Sequence, residues 1–115
     1  MSYYIAKIVF RISANNTEHK PQFDEQLRLI MADCHEEAFL KARMIGISEE
    51  DSFINDKNNL VKWEFINVSE LVPVRNLEDG IELYSRIYEM EEENAHVNFV
   101  HQKAITLRLN SRPLF

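Results

Sequence analysis

The most regular alternation of apolar and polar positions in the chain runs from Tyr3 to Ser13. Apolar side chains with a period of two are typical of a β-strand that buries one face. We therefore predict a first strand with a core face and a mixed second face. The core face would carry Tyr4, Ala6, Ile8, Phe10 and Ile12, and the second face Tyr3, Ile5, Lys7, Val9 and Arg11.

A second strand is predicted over Phe23–Ala32, after a polar loop over Ala14–Pro21, and the two strands are expected to form a hairpin. Its positions alternate between an apolar row and a polar row. We assign the apolar row to the core side and the polar row to the opposite face. The apolar row is Phe23, Leu27, Leu29 and Met31, and the polar row is Asp24, Gln26 and Arg28.

A helix is predicted next, from Asp33 to Ile45. Asp33 followed by Glu36 resembles a capping box, and Gly46 is a typical helix stop. Small residues four positions apart, Ala38, Ala42 and Gly46, indicate a helix that packs closely on a sheet. Cys34 would lie in the first turn, where we interpret it as a plain buried or half-buried cysteine.

Leu60–Val74 is rich in β-branched and aromatic residues, includes the only tryptophan, Trp63, and is predicted to be a central strand. A short strand over Ser52–Asn55 is expected before it. The apolar positions change parity between Phe65 and Ile66. A β-bulge near Phe65–Asn67 would explain this change, and so would burial on both faces.

The chain is predicted to end with a strand over Ile81–Met90 and a helix from Glu91 to about Thr106. The alternation of Ile105, Leu107 and Leu109 leaves an extended end as an alternative. The predicted order is β-β-α-(β)-β-β-α. This order describes an α+β fold, an antiparallel sheet of four to five strands with two helices. We expect one domain over residues 1–109 and a tail over 110–115.

Composition narrows the class of protein. A chain of 115 residues fits one domain, and no apolar run approaches the roughly 20 residues that span a bilayer. The start lacks the pattern of a signal peptide, and one cysteine cannot form an internal disulfide, so we expect a cytoplasmic protein. The net charge of −6 argues against nucleic-acid binding. Neither a nucleic acid nor a membrane is predicted as a partner.

Four segments resemble a family of small uncharacterised bacterial proteins that is defined as a domain of unknown function. They are YYIAKIVFRI at the start, FDEQLRLI at Phe23–Ile30, VKWEFINVSEL at Val61–Leu71 and ELYSRI at Glu82–Ile87. The resemblance covers roughly residues 3 to 90. It implies a bacterial, cytoplasmic, single-domain protein, and it implies no activity, cofactor or catalytic residue.

No motif for a metal, a phosphate loop or a catalytic triad is present, so no cofactor is predicted. The candidate site is a set of cations and tyrosines that the alternation assigns to the second face. Arginine beside tyrosine binds carboxylates, phosphates or acidic segments of a partner. The competing interpretation is a solvated face with cross-strand ion pairs. The candidate residues are Lys7, Arg11, Arg28, Arg86, Tyr84 and Tyr88.

The sequence supports two hypotheses for function. The first is a non-enzymatic interaction module that forms a homodimer through the mixed second face, which carries more apolar area than an exposed sheet usually shows. The alternative is a protein that binds a small anion, or an enzyme without a recognisable motif, that uses the arginines and tyrosines of the same face. A different protein partner would fit the first hypothesis as well.

Overall fold

A computed structural model describes residues 1–15 and 20–110 of the chain. The elements follow in the order β1 (Ser2–Ala14), β2 (Gln22–Ala32), α1 (His35–Ser48), β3 (Asp51–Ile54), β4 (Leu60–Val74) and α2 (Glu93–Asn110). The strands form one antiparallel sheet in the order β2-β1-β4-β3. The predicted α+β class and antiparallel sheet are confirmed.

The strand predicted over Ile81–Met90 is wrong, because residues 81–90 have no regular secondary structure. Apolar and polar residues alternate there, but alternation forms a strand only where a neighbouring strand supplies backbone partners. The second helix is confirmed, and its helical span includes Ile105–Leu109, so the alternative of an extended end is wrong. Residues 16–19 of the predicted loop and 111–115 of the predicted tail lie outside the described residues.

The chain forms two compact units, Met1–Tyr84 and Ser85–Phe115. The first unit contains the sheet and α1, and the second contains α2. The assignment of residues 1–109 to a single domain stays a prediction. None of the helices in residues 1–15 and 20–110 combines the length and apolar character that crossing a membrane requires.

The core of the first unit lies between α1 and one face of the sheet. The predicted core row of β1 is confirmed, since Ala6, Ile8 and Phe10 are fully buried. From α1, Ala38 and Ala42 are fully buried against this face, as the small-residue pattern predicts. Burial of apolar side chains between helix and sheet is the main source of stability here, at about 25 cal/mol per Å² of apolar surface.

The face assignment of β2 is wrong. Tyr3 pairs with Met31 and Lys7 pairs with Leu27, so the apolar row of β2 shares the second face of the sheet with Lys7. Directly opposite residues in an antiparallel pair point to the same face, and a shift of one residue exchanges the faces. The even positions of β2 therefore face α1, and Ile30 is the large residue that β2 contributes to the core.

The start of α1 also differs from the prediction. Cys34, not Asp33, is the N-cap residue, and its side chain makes no capping hydrogen bond. Cys34 is exposed, not buried or half-buried. The carboxylate of Glu37 instead accepts a hydrogen bond from the backbone N–H of Asp33. At the other end, Gly46 does not stop the helix, which continues to Ser48.

The parity change in β4 is a register shift, the first of the two explanations that the sequence leaves open. Phe10 pairs with Phe65 and Val9 pairs with Asn67, which leaves Ile66 as an extra residue in β4. A second shift, which was not predicted, leaves Ser69 extra. Each insertion of one residue, as in a β-bulge, exchanges the faces of the residues that follow.

Candidate functional site

Lys7 lies at the centre of the second face of the sheet. Its Nζ donates a hydrogen bond to the Tyr84 hydroxyl at 2.9 Å and lies 4.9 Å from the centre of the Tyr84 ring. The same nitrogen is 3.3 Å from carboxylate oxygens of Glu25 and of Glu70. β2 and β4 flank β1, so one carboxylate approaches Lys7 from each side and Tyr84 approaches from the segment after β4.

This arrangement encloses the ammonium group, whose side chain is only 12% exposed. The hydrogen bond to Tyr84 and the carboxylates of Glu25 and Glu70 raise the pKa of Lys7 above its ordinary value of 10.5. Partial burial acts in the opposite direction but is outweighed. Two acids around one base leave the group without excess positive charge, so it offers no attraction to an anion.

Arg11 lies further along β1 on the same face. Its guanidinium is 3.4 Å from Glu64 of β4, the residue directly opposite. Ser13 donates a hydrogen bond at 3.2 Å to the other oxygen of the same carboxylate. This is a cross-strand ion pair of the kind that the competing interpretation predicts, and its exposure limits its contribution to about 0–1 kcal/mol.

Arg28 does not join this group. It pairs with Ala6, which places it on the face that α1 covers. Its guanidinium donates to the Gln26 side chain at 3.1 and 2.8 Å and lies 3.7 Å from Glu49, the C-cap residue of α1. The assignment of Arg28 to the second face is therefore wrong, for the same reason that the face assignment of β2 is wrong.

The remaining candidates belong to the second compact unit. The Arg86 guanidinium lies 5.0 Å from the centre of the Tyr88 ring, a cation–π contact. The Tyr88 hydroxyl is 2.8 Å from Nε2 of His96 in α2. Within this unit, Tyr88 thus connects the irregular segment to the first turns of the helix.

Within the first unit, the four predicted site residues do not form one site, and within the second unit Arg86 and Tyr88 contact each other. Lys7 meets Tyr84, Arg11 meets Glu64, Arg28 faces α1, and Arg86 stacks on Tyr88. In residues 1–15 and 20–110, no three acidic, histidine or cysteine side chains are grouped as metal ligands. The proposal that an anion binds to converging arginines has no geometric support.

The feature that sequence reasoning missed is an exposed apolar row on β2. Its four side chains are 45–58% exposed and lie on the second face beside Lys7: Phe23, Leu27, Leu29 and Met31. The apolar character of this row suggests that it faces the core. The other row of β2 is polar at first, but it ends with the apolar residues Ile30 and Ala32. That apolar end was the signal in the sequence that the polar row faces the helix.

The comparisons with known proteins give a family but no activity. No curated protein and no solved structure matches the chain. A family model described as a domain of unknown function, DUF4288, matches residues 3–85, which comprise β1 to β4 and the segment that brings Tyr84 to Lys7. The chain belongs to the DUF4288 family, as the segments with the resemblance predicted.

Proposed function

We propose that the protein is a non-enzymatic interaction module that associates with itself through the second face of its sheet, with the apolar row of β2 at the interface. The observation that carries this proposal is the row itself, with four large apolar side chains on one strand, each about half exposed. Contiguous exposed apolar surface of this kind marks interaction sites.

The charges of the same face support an interface rather than a ligand site. Lys7 is enclosed by Tyr84, Glu25 and Glu70, and Arg11 is paired within the chain. An interface at or beside these groups therefore meets balanced charge, which costs far less to desolvate than an isolated cation. Symmetric dimers are the commonest oligomers, so a second copy is the partner we propose.

We place the module in the cytoplasm. Cys34 is a free thiol and is exposed at the start of α1. Free exposed thiols persist in compartments that are kept reducing. The location of the protein in fractionated cells of its source tests this assignment.

The test of self-association is the solution mass by light scattering after size exclusion, over a range of protein concentrations. We expect twice the chain mass of 13.6 kDa at high concentration. The double variant Leu27→Ser/Leu29→Ser removes half of the apolar row and should be monomeric. The matched control is Leu40→Ser/Met44→Ser, which removes two exposed apolar side chains from α1 and should leave the dimer intact.

Two results would overturn the proposal. The first is a wild-type protein that stays monomeric at every concentration. The second is a β2 double variant that remains dimeric to the same extent as the α1 control.

A further inference from the structure

β2 is an edge strand of the sheet. It has β1 on one side, and no other strand of residues 1–15 and 20–110 lies on its far side. It is 11 residues long and contains no proline. A long edge strand presents backbone N–H and C=O groups that pair readily with another strand. This edge therefore offers a second copy hydrogen bonds as well as apolar contact.

The row of β2 that faces α1 has a charge pattern that is complementary to itself. The Gln26 amide donates to Asp24 at 2.6 Å, and its carbonyl oxygen accepts from Arg28 at 3.1 and 2.8 Å. The row therefore runs from acid through amide to base, with Gln26 in the middle. If this row is rotated by 180° about Gln26, the acid takes the position of the base and the base that of the acid.

We propose that two copies join edge to edge through antiparallel pairing of their β2 strands, with the twofold axis passing through Gln26. Asp24 of each copy then lies opposite Arg28 of the other, which gives two ion pairs related by symmetry. On the second face, Phe23 of each copy lies opposite Leu29 of the other. The two sheets become one continuous sheet. This inference rests on the proposed self-association and specifies where the second copy docks. The copies meet along the free edge of β2 with their apolar rows side by side, and Lys7 and Arg11 on β1 lie outside the contact.

The neighbouring registers are less favourable. An axis through Leu27 places Asp24 opposite Ile30 and leaves both the acid and Arg28 without an opposite charge across the interface. A register shifted by a single residue places the apolar row of one copy beside the polar row of the other, because side chains alternate between faces. Both axes keep the two apolar rows on one face, although the axis through Gln26 also places Glu25 of each copy opposite Leu27 of the other. Only the axis through Gln26 pairs each Asp24 with an Arg28.

Charge exchange tests this register directly. Asp24→Arg places two arginines opposite each other at both contacts, and Arg28→Asp places two acids there. Each single variant should weaken the dimer by about tenfold or more, because like charges across an interface are strongly unfavourable. An equimolar mixture of the two variants restores both ion pairs in a heterodimer, and the double variant Asp24→Arg/Arg28→Asp restores them in a homodimer.

The outcomes separate the register from self-association itself. Rescue by mixing and by the double variant supports the pairing through Gln26. A dimer that forms equally well in both single variants overturns the pairing and leaves the self-association intact. A wild-type protein that is always monomeric overturns both.

Asp24 also accepts a hydrogen bond from Trp63, so a second experiment leaves Asp24 unchanged. In a Cys34→Ser background, Gln26→Cys places two thiols beside the axis. Directly opposite Cβ atoms in an antiparallel pair are about 4.5–5.5 Å apart, close to the spacing of a disulfide. Mild oxidation should therefore link the two copies covalently.

The matched control is Gln22→Cys in the same background, since Gln22 lies four residues from the axis and the two thiols are then far apart. Efficient linking of the Gln26→Cys protein, with little linking of the control, supports the register. Equal linking of both, or of neither, overturns it.

Discussion

The ring of Phe65 on β4 lies against the backbone of Gly46 on α1, in the space that a Cβ at this helix position would fill. Such a Cβ would also lie 3.1 Å from Cγ2 of Ile8. Replacing glycine by alanine within a helix usually stabilises a protein by about 0.5–1 kcal/mol. Here we expect Gly46→Ala to lower the free energy of unfolding by about 1–3 kcal/mol, the usual cost of overpacking.

Urea denaturation followed by circular dichroism measures this difference. The double variant Gly46→Ala/Phe65→Leu removes the ring that the new Cβ would meet. It should therefore lose less free energy of unfolding than the sum of the losses in the two single variants. A stabilised Gly46→Ala protein would show that the helix and sheet are further apart than the structure places them.

The side chain of Trp63 on β4 reaches across the neighbouring strand β1. Its ring packs against the edge of the core while half-buried, and its Nε1–H donates to the Asp24 carboxylate on the far side of β1 at 3.1 Å. We expect Trp63→Phe, which keeps most of the ring contact, to cost about 1 kcal/mol through the lost hydrogen bond. Trp63→Ala removes the ring as well and should cost about 2–3 kcal/mol, below the range for a fully buried tryptophan.

Chemical denaturation read by circular dichroism suits both variants, since neither retains tryptophan fluorescence. Equal costs for the phenylalanine and alanine variants would show that the ring contributes no packing and that the hydrogen bond supplies the whole effect.

The N-cap of α1 can be improved. Cys34 has the extended backbone of an N-cap, with φ −151° and ψ 169°, but its side chain caps nothing. A serine hydroxyl accepts a hydrogen bond from the free N–H groups of the first turn, so Cys34→Ser should stabilise the protein by about 0.5–1 kcal/mol. Asp33→Ala is the comparison and should change stability by less than about 0.5 kcal/mol, as is usual at exposed positions.

Thermal unfolding of the two variants and the wild type is sufficient for this measurement. If Asp33→Ala instead costs about 1 kcal/mol and Cys34→Ser has no effect, Asp33 is the functional cap.

The pKa of Lys7 predicts a loss of stability in alkaline solution. The pKa is raised in the folded protein, so in the unfolded chain Lys7 loses its proton first, near pH 10.5. Above that pH the folded state holds more protons than the unfolded state, and the free energy of unfolding falls as the pH rises. The stabilising contribution is therefore fully present below pH 10.5 and is lost progressively above it, as the pH approaches the raised pKa.

The measurement is a series of urea denaturations from pH 8 to pH 11.5 on the wild type and on Lys7→Met. The difference between the two proteins isolates the contribution of Lys7 from pH effects that are common to both. The difference should be constant to about pH 10 and then shrink. A constant difference over the whole range would show that the pKa of Lys7 is not raised.

The sequence predicts the strands and helices of the first unit better than it predicts which face of the sheet each row of side chains occupies. Alternation in β1 and the small residues of α1 are sufficient to find the core, because both carry a strong period. The face of β2 depends on which residue of β1 it pairs with, and that register is a property of the hairpin that neither strand shows alone. For this reason the alternation of β2 alone predicts its apolar row on the core side, where the structure does not place it.

The candidate site was predicted less well for the same reason. Lys7 and Arg11 lie on the predicted face because β1 was assigned correctly, whereas Arg28 followed β2 to the wrong face. Tyr84 reaches Lys7 from an irregular segment, a position that no periodic pattern indicates. Glu25 and Glu70, which balance the charge of Lys7, become visible only after both pairings of β1 are known.

The two extra residues of β4 have a consequence for the chemistry of the sheet. Ile66 exchanges the faces of β4, and Ser69 exchanges them back, so only the short stretch between them is out of phase. Glu64 and Glu70 consequently emerge on the same side, one opposite Arg11 and the other opposite Lys7. With a single insertion, one of these acids would lie beneath α1, facing apolar side chains. The insertions thus act as a matched pair, and natural sequences of this fold should gain or lose them together.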